Sequence, residues 1–201
     1  LKSLFKNTKN EIAHNIAASF YNNIQSKDRK AGEEFGGLKA AHQMLTEATK
    51  NHPKSIYSGN TESYLNTIEM ERLSVKIEQV VYPKDPFLYF VDFKNFSKID
   101  VELYKLPTDL EFEYRRAYNS KQQFLSANRK VKTWQEELPN PKDFYNRTVE
   151  LKADGLDAGF YVLKIAALNE KGEKIGYTIQ YTELYVSKIA VLQTGRDNGL
   201  N

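Results

Sequence analysis

The chain has 201 residues, 40% hydrophobic, 27% charged and 12% aromatic. That length buries roughly 70% of the unfolded surface, and with 13 Tyr and 11 Phe the sequence stands outside the aromatic-poor disordered class. A net charge of +3 from 29 basic and 26 acidic residues excludes the basic footprint of an electrostatic nucleic-acid binder.

There is no Cys, which excludes a disulfide scaffold, a thiolate zinc site and a cysteine nucleophile. Apolar runs are only a few residues long, so no membrane insertion is expected. The sequence opens Leu1-Lys-Ser without Met and closes on a soft polar stretch, Thr194 to Asn201. We read it as a fragment of something longer.

Helical patterning comes first. Phe5, Ile12, Ile16, Phe20 and Ile24 recur at four- and seven-residue spacing and predict one helix face. A polar turn follows over residues 26–32. Phe35, Leu38, Ala41, His42, Leu45 and Ala48 predict a second helix over 33–50, stopped at Pro53 because proline disfavours helical geometry in the residue before it. Residues 55–70 are ambiguous, with room for a short helix from Thr61.

Near residue 70 the period switches to two. Leu73, Val75 and Ile77 alternate with Ser74, Lys76 and Glu78 in a half-buried strand. Phe87 to Phe93 reads as a strand covered on both sides, since Leu88 and Phe90 occupy its second face. Ile99, Val101 and Leu103 predict a third strand, joined to the previous one as a hairpin through residues 94–98. Residues 108–130 suit helix and are expected as an insertion on the sheet edge. Further strands are expected at 131–138, 145–151, 160–168, 174–185 and 187–193. About seven strands with turns between them, and no alternating helices, predict an antiparallel sandwich.

Chemistry is sparse. His14, His42 and His52 show no metal-ligand spacing, and no phosphate loop or nucleophile elbow is present. Asp100 and Glu102 share a strand face beside Tyr104, on what reads as the wet side. A two-carboxylate hydrolase would need them facing a cleft with separated pKa values. Tyr177, Tyr181 and Tyr185 fall four apart, on one strand face. They are either a stacking platform for sugar or peptide, or filling for a core or domain interface. Gly159 can turn the chain sharply into a strand, Tyr161 alternates inward with Leu163, and a buried Trp134 would need an N–H partner.

Six segments occur in order: Pro86-Phe-Leu-Tyr-Phe-Val-Asp-Phe-Lys-Asn95, Ser97-Lys-Ile-Asp-Val-Glu-Leu-Tyr-Lys-Leu106, Trp134-Gln-Glu-Glu-Leu-Pro139, Asp143-Phe-Tyr145, Leu156-Asp-Ala-Gly-Phe-Tyr-Val-Leu163 and Tyr185-Val-Ser-Lys-Ile-Ala-Val-Leu192. Together they resemble an N-terminal macroglobulin-type domain of the bacterial alpha-2-macroglobulin family, especially its very large exported forms in Bacteroidetes. The resemblance implies a mainly β chain: a helical segment at 1–70, a macroglobulin-like sandwich at 71–195 and a linker at 196–201. It implies a non-catalytic structural module in a periplasmic or cell-surface protease trap. Its partners would be neighbouring domains of the same chain and, through the whole protein, target proteases. No cofactor, metal or catalytic residue is carried over. Without Cys the chain cannot hold the thioester that many members carry, and no bait region is recognisable. The competing reading is a surface-exposed glycan- or peptide-binding sandwich.

Overall fold

The computed structural model describes residues 12–26, 36–78 and 80–188. It divides into a helical unit, residues 1–72 with 93–97 and 139–147, and a sandwich unit, residues 73–92, 98–138 and 148–201.

Among its described residues the helical unit holds three helices: α1 (Ile12–Ser26), α2 (Gly37–Asn51) and α3 (Ser58–Glu69). Its core joins Ala13, Ala17, Tyr21 and Ile24 of α1 to Leu38, Ala41, Met44, Leu45 and Ala48 of α2, and to Ile68 of α3. Ile24 is buried as expected, but before it the buried stripe of α1 is one residue out of phase with the expected one. Ile12 is exposed, while Ile16 and Phe20 pack at the margin. Alanines on both helices allow a close approach that larger side chains would prevent, so the small residues take the centre. Helix α2 ends before Pro53 as expected, with the His52 N–H on the Ala48 carbonyl. The ambiguous segment is helix α3. Its last carbonyls, which no helical N–H can reach, are capped from residues 94–95: Lys94 Nζ donates to Thr67 at 2.8 Å and Asn95 Nδ2 to Ile68 at 2.6 Å. Phe5, Phe35 and the 26–32 turn lie wholly or mostly outside the described residues.

The sandwich unit has eight strands among the described residues: β1 (Arg72–Ile77), β2 (Val80–Val81), β3 (Phe87–Lys94), β4 (Lys98–Leu106), β5 (Arg129–Glu137), β6 (Arg147–Ala153), β7 (Gly159–Ala167) and β8 (Gln180–Val186). They form a three-stranded sheet, β1-β3-β6, and a five-stranded sheet, β2-β8-β7-β4-β5. Pairing is antiparallel from β8 through β5, but β2 joins β8 in parallel. The expected β3–β4 hairpin is instead a corner between sheets. Asn95, at φ 67°, reverses the chain so that β3 and β4 face each other across the core rather than pairing. Phe87, Tyr89 and Val91 of β3 and Ile99, Val101 and Leu103 of β4 are buried, each set along one strand face. The outer face of β3 is open, with Leu88 and Phe90 36% and 41% exposed, so that strand is covered on one side only.

Strands β4 and β7, neighbours in the five-stranded sheet, are buried on both sides. Residues 108–128 form a 3-10 turn and helices α4 (Glu111–Arg116) and α5 (Lys121–Ser126). They cover the sheet's outer face, not its edge. Tyr114 and Leu125 pack there in one cluster with Tyr104, Leu106, Phe160 and Val162. The expected 174–185 strand is shorter. Lys174 bridges Leu168, a 3-10 turn spans Gly176–Thr178, and β8 begins at Gln180. Thr178 holds that turn, donating to the Ile175 carbonyl and accepting the Ala167 N–H. The expected 187–193 strand falls mostly, and the 196–201 linker wholly, outside the described residues; Ser187 and Lys188 are not in a strand. No described helix is long and apolar enough to cross a membrane.

The Tyr114 hydroxyl is fully buried with no hydrogen-bond partner among the described residues, and burial, foremost, raises its pKa. A desolvated, unpaired hydroxyl costs about 1–3 kcal/mol. Tyr114→Phe is therefore expected to leave stability unchanged or raise it by about 1 kcal/mol in urea unfolding. A loss larger than that would mean the hydroxyl has a partner.

Candidate functional site

The outer face of the five-stranded sheet carries two neighbouring clusters. The apolar one lies beneath α4 and α5. The polar one is centred on Glu102, which the β4–β7 register places opposite Lys164. Both are buried, at 4% and 6% exposure, and Asp100 is at 7%. The Glu102 carboxylate meets Lys130 at 3.1 Å and Lys164 at 3.4 Å, and accepts short hydrogen bonds from Lys174 and the Tyr104 hydroxyl. Lys174 also pairs with Asp100 at 2.9 Å. Asp100 and Glu102 are thus not on a wet face, as the alternation suggested. A helical insertion and three lysine stems enclose what alternation alone reads as solvated.

The electrostatics follow from that enclosure. Burial by itself would raise the Glu102 pKa. Hydrogen bonds from Lys174, Tyr104 and Lys130, with the charge of Lys164, outweigh it and hold the group at about 2. Burial and the adjacent carboxylate push the Tyr104 hydroxyl up. A carboxylate so depressed has no proton to give near neutrality and is a weak base.

The expected tyrosine row divides. Tyr181 and Tyr185 share the outer face of β8, opposite Lys164 and Phe160. Tyr185 stacks on Phe160 at 4.9 Å, donates to Glu111 and accepts from Arg115 at 2.7 Å. Tyr181 donates to Gln122 at 3.4 Å. Both are held against the insertion. Tyr177 sits apart on the 3-10 turn, 66% exposed. The three rings form no shared groove.

Trp134 is half-buried on β5 and donates its N–H to the Tyr89 hydroxyl at 3.4 Å, a bond that spans the two sheets. It lines an open cavity of about 220 Å³ with Phe87, Leu103, Lys132, Glu136 and Leu156 among its walls. Gly159 opens β7 at φ 156°, and a Cβ there would come within 2.8 Å of Lys105. Tyr161 is buried and donates to the Asp157 carbonyl.

Sequence reasoning missed Lys130, Lys164 and Lys174. The available signal was Lys164, a single charge in the apolar run Phe160 to Ala167. A charge so placed needs a partner on the adjacent strand. The histidines belong to the helical unit. His14 is buried, with Nε2 donating to the His52 carbonyl and Nδ1 against the Thr61 hydroxyl at 2.7 Å. His42 stacks on Phe144 and pairs with Glu69 at 2.6 Å. Among the described residues no group of three or more His, Asp or Glu is placed to hold a metal ion.

No family model matches the sequence, and no curated protein is significantly similar to it. Three solved structures show a partial likeness in chain course. A native alpha-2-macroglobulin from Escherichia coli spanning domains MG0-NIE-MG1 is 20% identical over 60% of this chain and 41% of its own, with a TM-score of 0.40. A CARDB domain from Pyrococcus furiosus, solved with two metal ions, is 12% identical over 59% and 88%, at 0.33. The soluble domain of PmoD from Methylocystis is 12% identical over 59% and 92%, at 0.32.

Removing the central anion leaves lysines facing one another in a buried site. Glu102→Gln is therefore expected to destabilise the chain by about 3 kcal/mol, measured by urea unfolding. The sign of the pH dependence follows from the depressed pKa. The contribution of Glu102 is complete above its ordinary value of 4.5 and is lost as pH falls toward about 2. Glu102→Gln should flatten the stability profile across that window. An unchanged acid limb would show that the network does not hold the carboxylate.

Proposed function

We propose that the chain is a non-catalytic structural module of a large exported alpha-2-macroglobulin-like protein. It would space and dock neighbouring domains of a periplasmic or cell-surface protease trap. The observation that carries this reading is the placement of the segments on which the resemblance rests. Pro86 to Asn95 covers β3, Ser97 to Leu106 covers β4, Trp134 to Pro139 ends β5, Leu156 to Leu163 opens β7, and Tyr185 ends β8. These five lie on strands of one sandwich in chain order, which gives their order a folding reason; Asp143 to Tyr145 precedes β6 and belongs to the helical unit.

The ionisable groups support the same reading. Glu102 and Asp100 are occupied by lysines, and Tyr181 and Tyr185 by the insertion. Catalysis needs groups free to meet a substrate and tuned to move a proton. A spacer needs an inert and rigid sandwich, and internal compensation of charge gives that.

The test uses the full-length parent protein mixed with a broad-specificity protease. A trap leaves hydrolysis of a small chromogenic peptide intact while cleavage of a large protein substrate falls. Deletion of this module is expected to restore cleavage of the large substrate. Equal protection or equal loss on both substrates, with and without the module, would overturn the proposal.

A further inference from the structure

Strand β5 is the terminal strand of the five-stranded sheet, with β4 on one side and no strand on the other among the described residues. It is nine residues long. A long free edge exposes a row of backbone donors and acceptors that can template another strand. Natural edges are usually guarded by charges of one sign, by proline or by a bulge. This one has a bulge at Val131 and Pro139 beyond its end, and the segment between them carries neither guard. Its central residues read Lys132-Thr-Trp-Gln-Glu136, a sequence whose charges reverse about Trp134.

The register fixes which of these share a face. Lys132, Trp134 and Glu136 pair with Leu103, Val101 and Ile99, on the side facing the core, whereas Thr133 and Gln135 pair with Glu102 and Asp100 on the other. The register shift of the β4–β5 ladder lies between Leu103 and Tyr104, outside the Lys132–Glu136 segment. An antiparallel copy of the segment, centred on Trp134, therefore sets Lys132 opposite Glu136 twice, Thr133 opposite Gln135 twice, and Trp134 opposite itself. Every pair joins residues of the same face, as directly opposed positions must.

We propose that a second copy of this chain docks on the β5 edge by antiparallel strand addition, forming a two-fold dimer with one continuous sheet. Charge complementarity and the state of the side chains favour this occupant. Trp134 is only half-buried, beside an open cavity of about 220 Å³ that Lys132 and Glu136 also line. The two indoles meet there as an aromatic cross-strand pair. Glu136 has no ion-pair partner among the described residues. Lys132 pairs with Asp154, which is 85% exposed, an exposed bond that costs little to give up. The interface is isologous, as a two-fold axis requires. The bulge beside Val131 and Pro139 limit the ladder to this short central segment.

Sedimentation equilibrium across the soluble concentration range tests this, with fluorescence of Trp134, the one Trp of the chain, as local reporter. A concentration-dependent monomer–dimer equilibrium is expected, with a blue shift of the indole on association. K132E and E136K each place like charges opposite one another twice, and each should raise the dissociation constant about tenfold or more. An equimolar mixture of the two should recover wild-type association, because every 132–136 pair between unlike chains is again of opposite sign. E136K breaks no ion pair within the described monomer, so it decides the outcome if K132E is itself unstable. A chain that stays monomeric throughout would overturn the proposal. So would association that E136K leaves unchanged, or a mixture no tighter than its separate components.

Discussion

The structure of the sandwich unit depends on the need of β4 to be buried on both faces. Its inward face, Ile99, Val101 and Leu103, closes the core. Its outward face carries Asp100, Glu102, Tyr104 and Leu106, and all four are buried as well. An antiparallel sheet ordinarily needs only one dry side. Here the second dry side is made by two devices side by side. Helices α4 and α5 lay Tyr114 and Leu125 over Tyr104 and Leu106, and lysines from β5, β7 and the loop after β7 converge on Glu102. Residues 108–128 are thus a lid for one half of β4, and the ion network covers the other half.

The network explains why that half tolerates charge. Moving an isolated carboxylate into a dry site would cost several kcal/mol, and the usual response is protonation. Glu102 responds in the opposite direction, because four donors reach its two oxygens. The lysines come from three separate chain segments, so the cluster completes only when β4, β5, β7 and the turn at Lys174 are all in register. A one-residue slip of any strand would turn its charge to the apolar side. Specification of register follows from this. A large gain in stability does not, because apolar residues of similar volume could fill such a site at comparable free energy.

What could be read from the sequence depended on whether the signal was local. The alternation of β1, the existence of a strand at β4, the helix stop before Pro53 and the sandwich class follow from short-range pattern, and the structure bears them out. The β3–β4 connection was misread because its five linking residues are equally compatible with a hairpin and with a corner. Only the positive φ of Asn95 and the burial of both inward faces decide it. The outward face of β4 looked solvated because alternation reports polarity and not enclosure, and the enclosing lysines lie 28 to 72 positions from Glu102. The tyrosine row looked continuous because Gly176 and Thr178 gave no strong break signal. Thr178 forms the turn through hydrogen bonds to Ile175 and Ala167, invisible before the fold is known.

The two ends of the five-stranded sheet handle exposure by different physics. At one end β2 contributes, among the described residues, only Val80 and Val81, paired in parallel with β8, and an edge of two residues is too short to template a partner. At the other end β5 runs for nine residues, and its length is required by the structure it serves. It must supply Lys130 to Glu102, and Trp134 to Tyr89 on the facing sheet, four residues apart on one strand. An edge that carries both contacts cannot be shortened without opening either the core or the ion network. Side chains along it are then the remaining means of control. A single sign would repel any second copy of the edge. Two signs in reversed order about one aromatic residue attract an antiparallel copy of it, and the chemistry of β5 is of that second kind.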